Sequence, residues 1–129
     1  MKAALLFTEI GMGVYWILAA FSAFGIVEIP AEYLYSDYQN PKVVAWNWSF
    51  FPLDLIFIVS GIAAFCTDGS SARKAELFQL GLTAMFCSGL MAISYWVILC
   101  EFDPIWWGAN IWLMCLPVLA YVSLRKADP

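Results

Sequence analysis

Long apolar runs, broken at three places by short polar segments, dominate this chain. Spanning the hydrocarbon of a bilayer takes roughly 20 apolar residues as a helix. Four stretches meet that length: about 3–26, 43–66, 77–100 and 105–124. The first contains one charge, Glu9, and the second one, Asp54; the third and fourth have none. None shows the strict alternation of a membrane strand. The pattern therefore predicts an all-α protein, a four-helix transmembrane bundle with short loops, forming one transmembrane domain over 1–129. Helices satisfy their own backbone hydrogen bonds, which is what lets them live in lipid.

The breaks carry turn chemistry. Residues 28–42 are polar and hold Pro30, Pro41, Tyr33, Tyr35 and Tyr38. In the second break, 67–76, Ser70 or Ser71 is a candidate helix cap. The third, 101–104, ends in Pro104, suited to a first helical position. With four spans, Lys2, Arg73, Lys74, Arg125 and Lys126 fall on one side and only Lys42 on the other. That five-to-one bias predicts that both termini are cytoplasmic. The first span is long for a cleaved leader, and no A-x-A site follows it.

Composition agrees and removes several functions. Charged residues make up 12% of the chain, about half the roughly 25% of an ordinary soluble protein. The net charge of −4 argues against nucleic-acid binding. There is no histidine, so Ser-His-Asp chemistry and His-ligated haem have no basis, and no metal or cofactor is expected. The four cysteines form no C-x-x-C pair and read as small apolar residues. No Lys lies inside a span to carry a Schiff base.

What remains is an acid set among aromatics. Trp46, Trp48, Trp106, Trp107 and Trp112 lie in the outer halves of the second and fourth spans, with Tyr95 and Trp96 in that of the third. An interfacial belt explains this, although the inner side has few counterparts, which leaves room for an aromatic vestibule. In W-N-W-S-F-F-P-L-D, Asn47 and Asp54 are seven residues apart and share a helix face, and Gly61 extends it. Pro52 leaves the carbonyl of Trp48 without its helical donor. A mid-membrane Asp costs roughly 2.5–3.5 kcal/mol and belongs inside a bundle or a wet cavity. Glu9 is the second such acid; it either pairs with Asp54 or reaches the inner interface, and Gly13 and Ala20 on its face would admit a neighbouring helix. Gly81, Ser88 and Tyr95 repeat at sevens as a packing stripe, with Tyr95 in reach of Asn47 or Asn110.

These residues support a binding protein for a lipophilic or amphipathic, in particular cationic, small molecule. Trp48, Tyr95, Trp96 and Trp107 would be its walls; Asp54, Asn47, Asn110 and Glu9 would supply polar contacts. Two other readings stay open: a dimeric small transporter or proton-coupled subunit, and a structural accessory subunit with the acids as interhelical glue. Membrane lipids are the expected partners, with a homodimer in the transporter reading.

The segments N-P-K-V-V-A-W-N-W-S-F-F-P-L-D (40–54), F-C-S-G-L-M-A-I-S-Y-W (86–96) and F-D-P-I-W-W (102–107) resemble the small bacterial YvaD-like membrane family. The resemblance covers nearly the whole chain and implies a four-span protein of the bacterial cytoplasmic membrane. It supplies no catalytic residue. A fainter similarity is to the EXPERA group, which has embedded acids around a lipophilic pocket; its isomerase chemistry uses a histidine that this chain lacks.

Overall fold

A computed structural model of the protein describes residues 1–30, 33–35, 37–69 and 72–125. Those residues form five helices and no strand: α1 (Lys2–Ala23), α2 (Pro41–Ser49), α3 (Phe51–Cys66), α4 (Ala72–Leu99) and α5 (Pro104–Arg125). Helices α2 and α3 follow one another across Phe50 and form one span, so four helical stretches are long and apolar enough to cross a membrane.

The helix ends have local causes. α1 stops at Ala23, three residues before the apolar run ends, because Gly25 adopts φ 68°. There Gly25 N–H donates to Ser22 O and Ile26 N–H to Phe21 O, a Schellman motif that satisfies the last carbonyls. The same pair of bonds ends α4, from Cys100 N–H to Val97 O and from Glu101 N–H to Trp96 O. Here a cysteine, not a glycine, holds the left-handed position, at φ 56°. Asn40 caps α2 by accepting from Lys42 N–H, with Pro41 next in line. Asp103 Oδ1 caps α5 by accepting from Ile105 and Trp106 N–H, and Pro104 opens the helix as its position predicts. The candidate caps Ser70 and Ser71 lie outside the described residues, as does Lys126.

Side chains are distributed the opposite way from a water-soluble bundle. Phe7, Ile10, Val14, Ile17 and Phe21 of α1 face outward, and Val97 and Ile98 of α4 do the same. Thr8, Glu9, Asp54, Ser60, Ser88 and Asn110 are buried. In water so large an apolar exterior would be covered; in lipid it is the solvated surface, and polar groups gather between helices.

α3 and α5 pack on either side of α4, and α1 lies against α3 with a lighter contact to α5. The small residues of α4 set these distances. Gly81 sits on α3, where an added Cβ would come within 3.1 Å of Ser60 Oγ and 3.3 Å of Gly61 N. Gly89 sits on α5, 2.6 Å by the same measure from Asn110 O. Close backbone approach at glycine is a usual way for helices to associate in membranes. On α1 the expected glycine contact is absent, since a Cβ at Gly13 meets nothing within 4 Å. The close approach to α1 comes instead from α3, where Gly61 receives the Glu9 carboxyl.

Candidate functional site

Asp54 lies in the first turn of α3, is 2% exposed and joins three helices. From α1, Trp16 Nε1 donates to its Oδ2 at 2.8 Å; from α4, the Ser88 hydroxyl bonds its Oδ1 at 2.5 Å. Indole N–H has no other chemistry than donation, so its buried partner must be an acceptor. Both carboxyl oxygens are therefore engaged. Ser88 occupies the middle of the predicted α4 stripe and is its one member bonded to Asp54; Gly81 lies against Ser60 and Gly61, and Tyr95 stacks on Trp46.

Between Asp54 and the loop that joins α1 to α2, a small cavity opens. Its floor is Asp54 and Ser88, and its polar wall is Asn47 and Asn110. Tyr15, Trp16, Trp46, Trp96 and Trp106 form the aromatic wall, and Tyr35 from the loop between α1 and α2 reaches in above them. Free space amounts to about 40 Å³. One water needs roughly 10–15 Å³ of such space, so about three fit. Drug-sized ligands occupy pockets of roughly 300–1,000 Å³, far beyond this.

The rings are locked in place by each other. Trp46 stacks on Tyr95 with centroids 3.9 Å apart and meets Trp96 edge-on at 5.6 Å. Trp16 is flanked by Tyr15 at 5.1 Å, Phe51 at 5.1 Å and Trp48 at 5.4 Å. Tyr15 O–H donates to Asn47 Oδ1 at 3.2 Å, which fixes the amide across the α1–α2 contact. Asn110 Nδ2 donates back to Trp106 O in its own helix, at 2.8 Å. Tyr35 meets Trp106 edge-on at 5.9 Å, and burial pushes its phenol above the ordinary value.

Of the residues expected to form a site, Asp54, Asn47, Trp96 and Asn110 meet at this cavity. The rest stand elsewhere. Trp48 is one ring behind, against Trp16, and Tyr95 is one ring behind, under Trp46. Tyr95 is not the partner of Asn47; Tyr15 takes that place. Trp107 turns to the connection between α4 and α5, packing on Phe102 and donating to Glu101 O. Glu9 neither lines the cavity nor pairs with Asp54; its carboxyl lies against Gly61, seven residues further along α3.

Trp46 and Trp106 belong to the aromatic set that the sequence points out but not to the walls chosen from it, and Trp16, Tyr15 and Tyr35 were missed as site residues. A signal existed for Trp16, the tryptophan nearest mid-membrane: an indole N–H at that depth requires an acceptor, and Asp54 is at similar depth. No comparable signal marked Tyr35 among the three loop tyrosines. Among the described residues no group of three Cys, Asp or Glu side chains comes together as metal ligands.

Comparison with known proteins agrees with the whole-chain resemblance. Residues 1–129 match a family described as "Family of unknown function (DUF5360)". The "Uncharacterized protein YvaD" of Bacillus subtilis (strain 168) is 36% identical over 127 residues, which is 98% of this chain and 92% of that protein. No solved structure matches.

Proposed function

We propose, for a chain that belongs to the DUF5360 family of unknown function, that it binds the cationic head of a small amphipathic molecule within the membrane. The observation that carries this is a buried acid at the floor of an aromatic-walled cavity. A carboxylate supplies the counter-charge, and ring faces attract a desolvated cation by about 2 kcal/mol or more. The cavity's 40 Å³ selects the head. A compact primary ammonium suits a space of that size, and the tail stays among the lipid-facing side chains. Asn47 and Asn110 line the entry as polar contacts. The bias of basic residues supports cytoplasmic termini, with the cavity opening toward the outer half of a bacterial cytoplasmic membrane.

The test is titration of the protein in nanodiscs with a long-chain primary alkylammonium, followed by tryptophan fluorescence. Asp54→Asn is expected to weaken binding at least about tenfold, which is about 1.4 kcal/mol. The alcohol of the same chain length is the control and should not discriminate the two proteins. Equal alkylammonium affinity in the parent, Asp54→Asn and Trp96→Ala rejects the proposal.

A second reading has its own support. Asp54 is already bonded on both oxygens, by Trp16 and Ser88. An acid used that way is interhelical glue in a structural subunit. Under this reading Asp54→Asn keeps partner binding and accumulation in the membrane unchanged while lowering stability.

A further inference from the structure

Glu9 plays no part in the cup, and its surroundings are different in kind. It is 3% exposed, on the face of α1 that packs against α3. Its Oε2 is fully buried and has no hydrogen-bond partner, alone in this respect among the buried side-chain oxygens and nitrogens of the described residues. The carboxyl occupies the space where any residue at 61 larger than glycine would place its Cβ. Gly61 thus acts as a seat for this acid.

The chemistry of the seat bears on which form of the acid it holds. An ionised carboxylate wants several donors, and leaving one unpaired in a buried place costs more than the roughly 1–3 kcal/mol of a neutral group. Groups that titrate on the packed elements do not help it. On α3, Asp54 is bonded to Trp16 and Ser88, and Cys66 is exposed at the inner end. On α5, Cys115 and Tyr121 are exposed, and on α1 itself Lys2 is seven residues away while Tyr15 is committed to Asn47. The neighbouring Thr8 hydroxyl donates to Ala4 O and accepts from Trp112 Nε1 at 2.9 Å, so it too is engaged. No group of three Cys, Asp or Glu side chains assembles there to hold a metal ion, among the described residues. The ligand that fits is a proton.

We propose that Glu9 is a proton-binding site, separate from the cavity over Asp54, occupied whenever its carboxyl is seated on Gly61. Loss of the proton drives the carboxyl off the seat toward water or headgroups at the inner end of α1. Protonation at this site thereby sets how α1 closes on α3.

Infrared difference spectroscopy of the full chain in liposomes tests this, through the C=O stretch of a protonated carboxyl recorded across a pH series. A band that persists at neutral pH, disappears in Glu9→Gln and survives in Asp54→Asn is the expected result. Gly61→Ala should shift the midpoint of that band to lower pH, because the displaced carboxyl becomes wetter. Absence of such a band in the parent protein at neutral pH overturns the proposal. So does a band removed by Asp54→Asn and unaffected by Glu9→Gln, which would assign the proton to the cup.

Discussion

Alanine at position 61 separates a packing account of this bundle from a merely compositional one. Two helical glycines serve as a matched pair. At Gly13 an added Cβ meets nothing within 4 Å, so Gly13→Ala should gain the roughly 0.5–1 kcal/mol that alanine brings to a helix interior. Gly61 enjoys the same propensity gain, but its Cβ would enter the Glu9 carboxyl and lie 3.0 Å from Oε2. Overpacking of a tight contact costs about 1–3 kcal/mol. Net loss at Gly61→Ala is therefore about 0–2.5 kcal/mol, and the two alanine variants should differ by about 1–3 kcal/mol. Shortening the clashing partner must cancel the effect: Gly61→Ala in a Glu9→Ala background should behave like Gly13→Ala. Denaturant unfolding in mixed micelles, followed by tryptophan fluorescence, measures the parent and the four variants. A Gly61→Ala variant as stable as Gly13→Ala, with no coupling to Glu9, refutes the α1–α3 contact described above.

Other expectations follow from single contacts. Ser88→Ala removes one bond to Asp54 and should cost about 0.6 kcal/mol, with about 1.7 as the upper end for hydrogen bonds in membranes, in the same unfolding assay. Cys100→Gly should stabilise by about 1–2 kcal/mol, since glycine carries no left-handed penalty at φ 56°; an unchanged unfolding midpoint would contradict that. Tyr35 gives a pH effect. Its phenol is raised above the ordinary value of 10 by burial, so the folded state holds the proton longer than the unfolded one. The contribution of its docking is intact below pH 10 and declines as pH rises through the raised value. Alkaline unfolding should accordingly begin later in Tyr35→Phe, and identical alkaline profiles would argue against a buried phenol.

The fold was legible because lipid imposes a coarse rule: about 20 apolar residues between polar breaks, four times over. Pro104 marked a helix start through chemistry that acts within a few residues, whereas the capping roles of Asn40 and Asp103 went unread. Helix ends were less visible, since the apolar run continues to Ile26 while the backbone turns at Gly25. The seven-residue spacing of Asn47, Asp54 and Gly61 was a sound guide to one buried face, because period alone decides it. Which aromatics joined that face was not readable. Trp46 and Trp48 are two residues apart, and the turn of the helix sends one to the cavity and the other behind Trp16. Choosing between them requires knowing where α1 lies, and that rests on contacts distant in sequence, among them Glu9 with Gly61, 52 positions apart, and Trp16 with Asp54.

The bond between Trp16 and Asp54 also has a meaning for biosynthesis. A helix bearing an unpartnered Asp enters the bilayer at a penalty of roughly 2.5–3.5 kcal/mol on the insertion scale. The chain emerges from its amino end, so α1, with its indole donor, precedes α3 into the membrane, whereas Ser88 arrives only with α4. The earlier helix thus waits with a ready donor for the acid that follows, and the later one completes the pairing. Removing the Trp16 donor would therefore show itself first as poorer membrane integration of the nascent second span, before any loss of stability in the finished bundle.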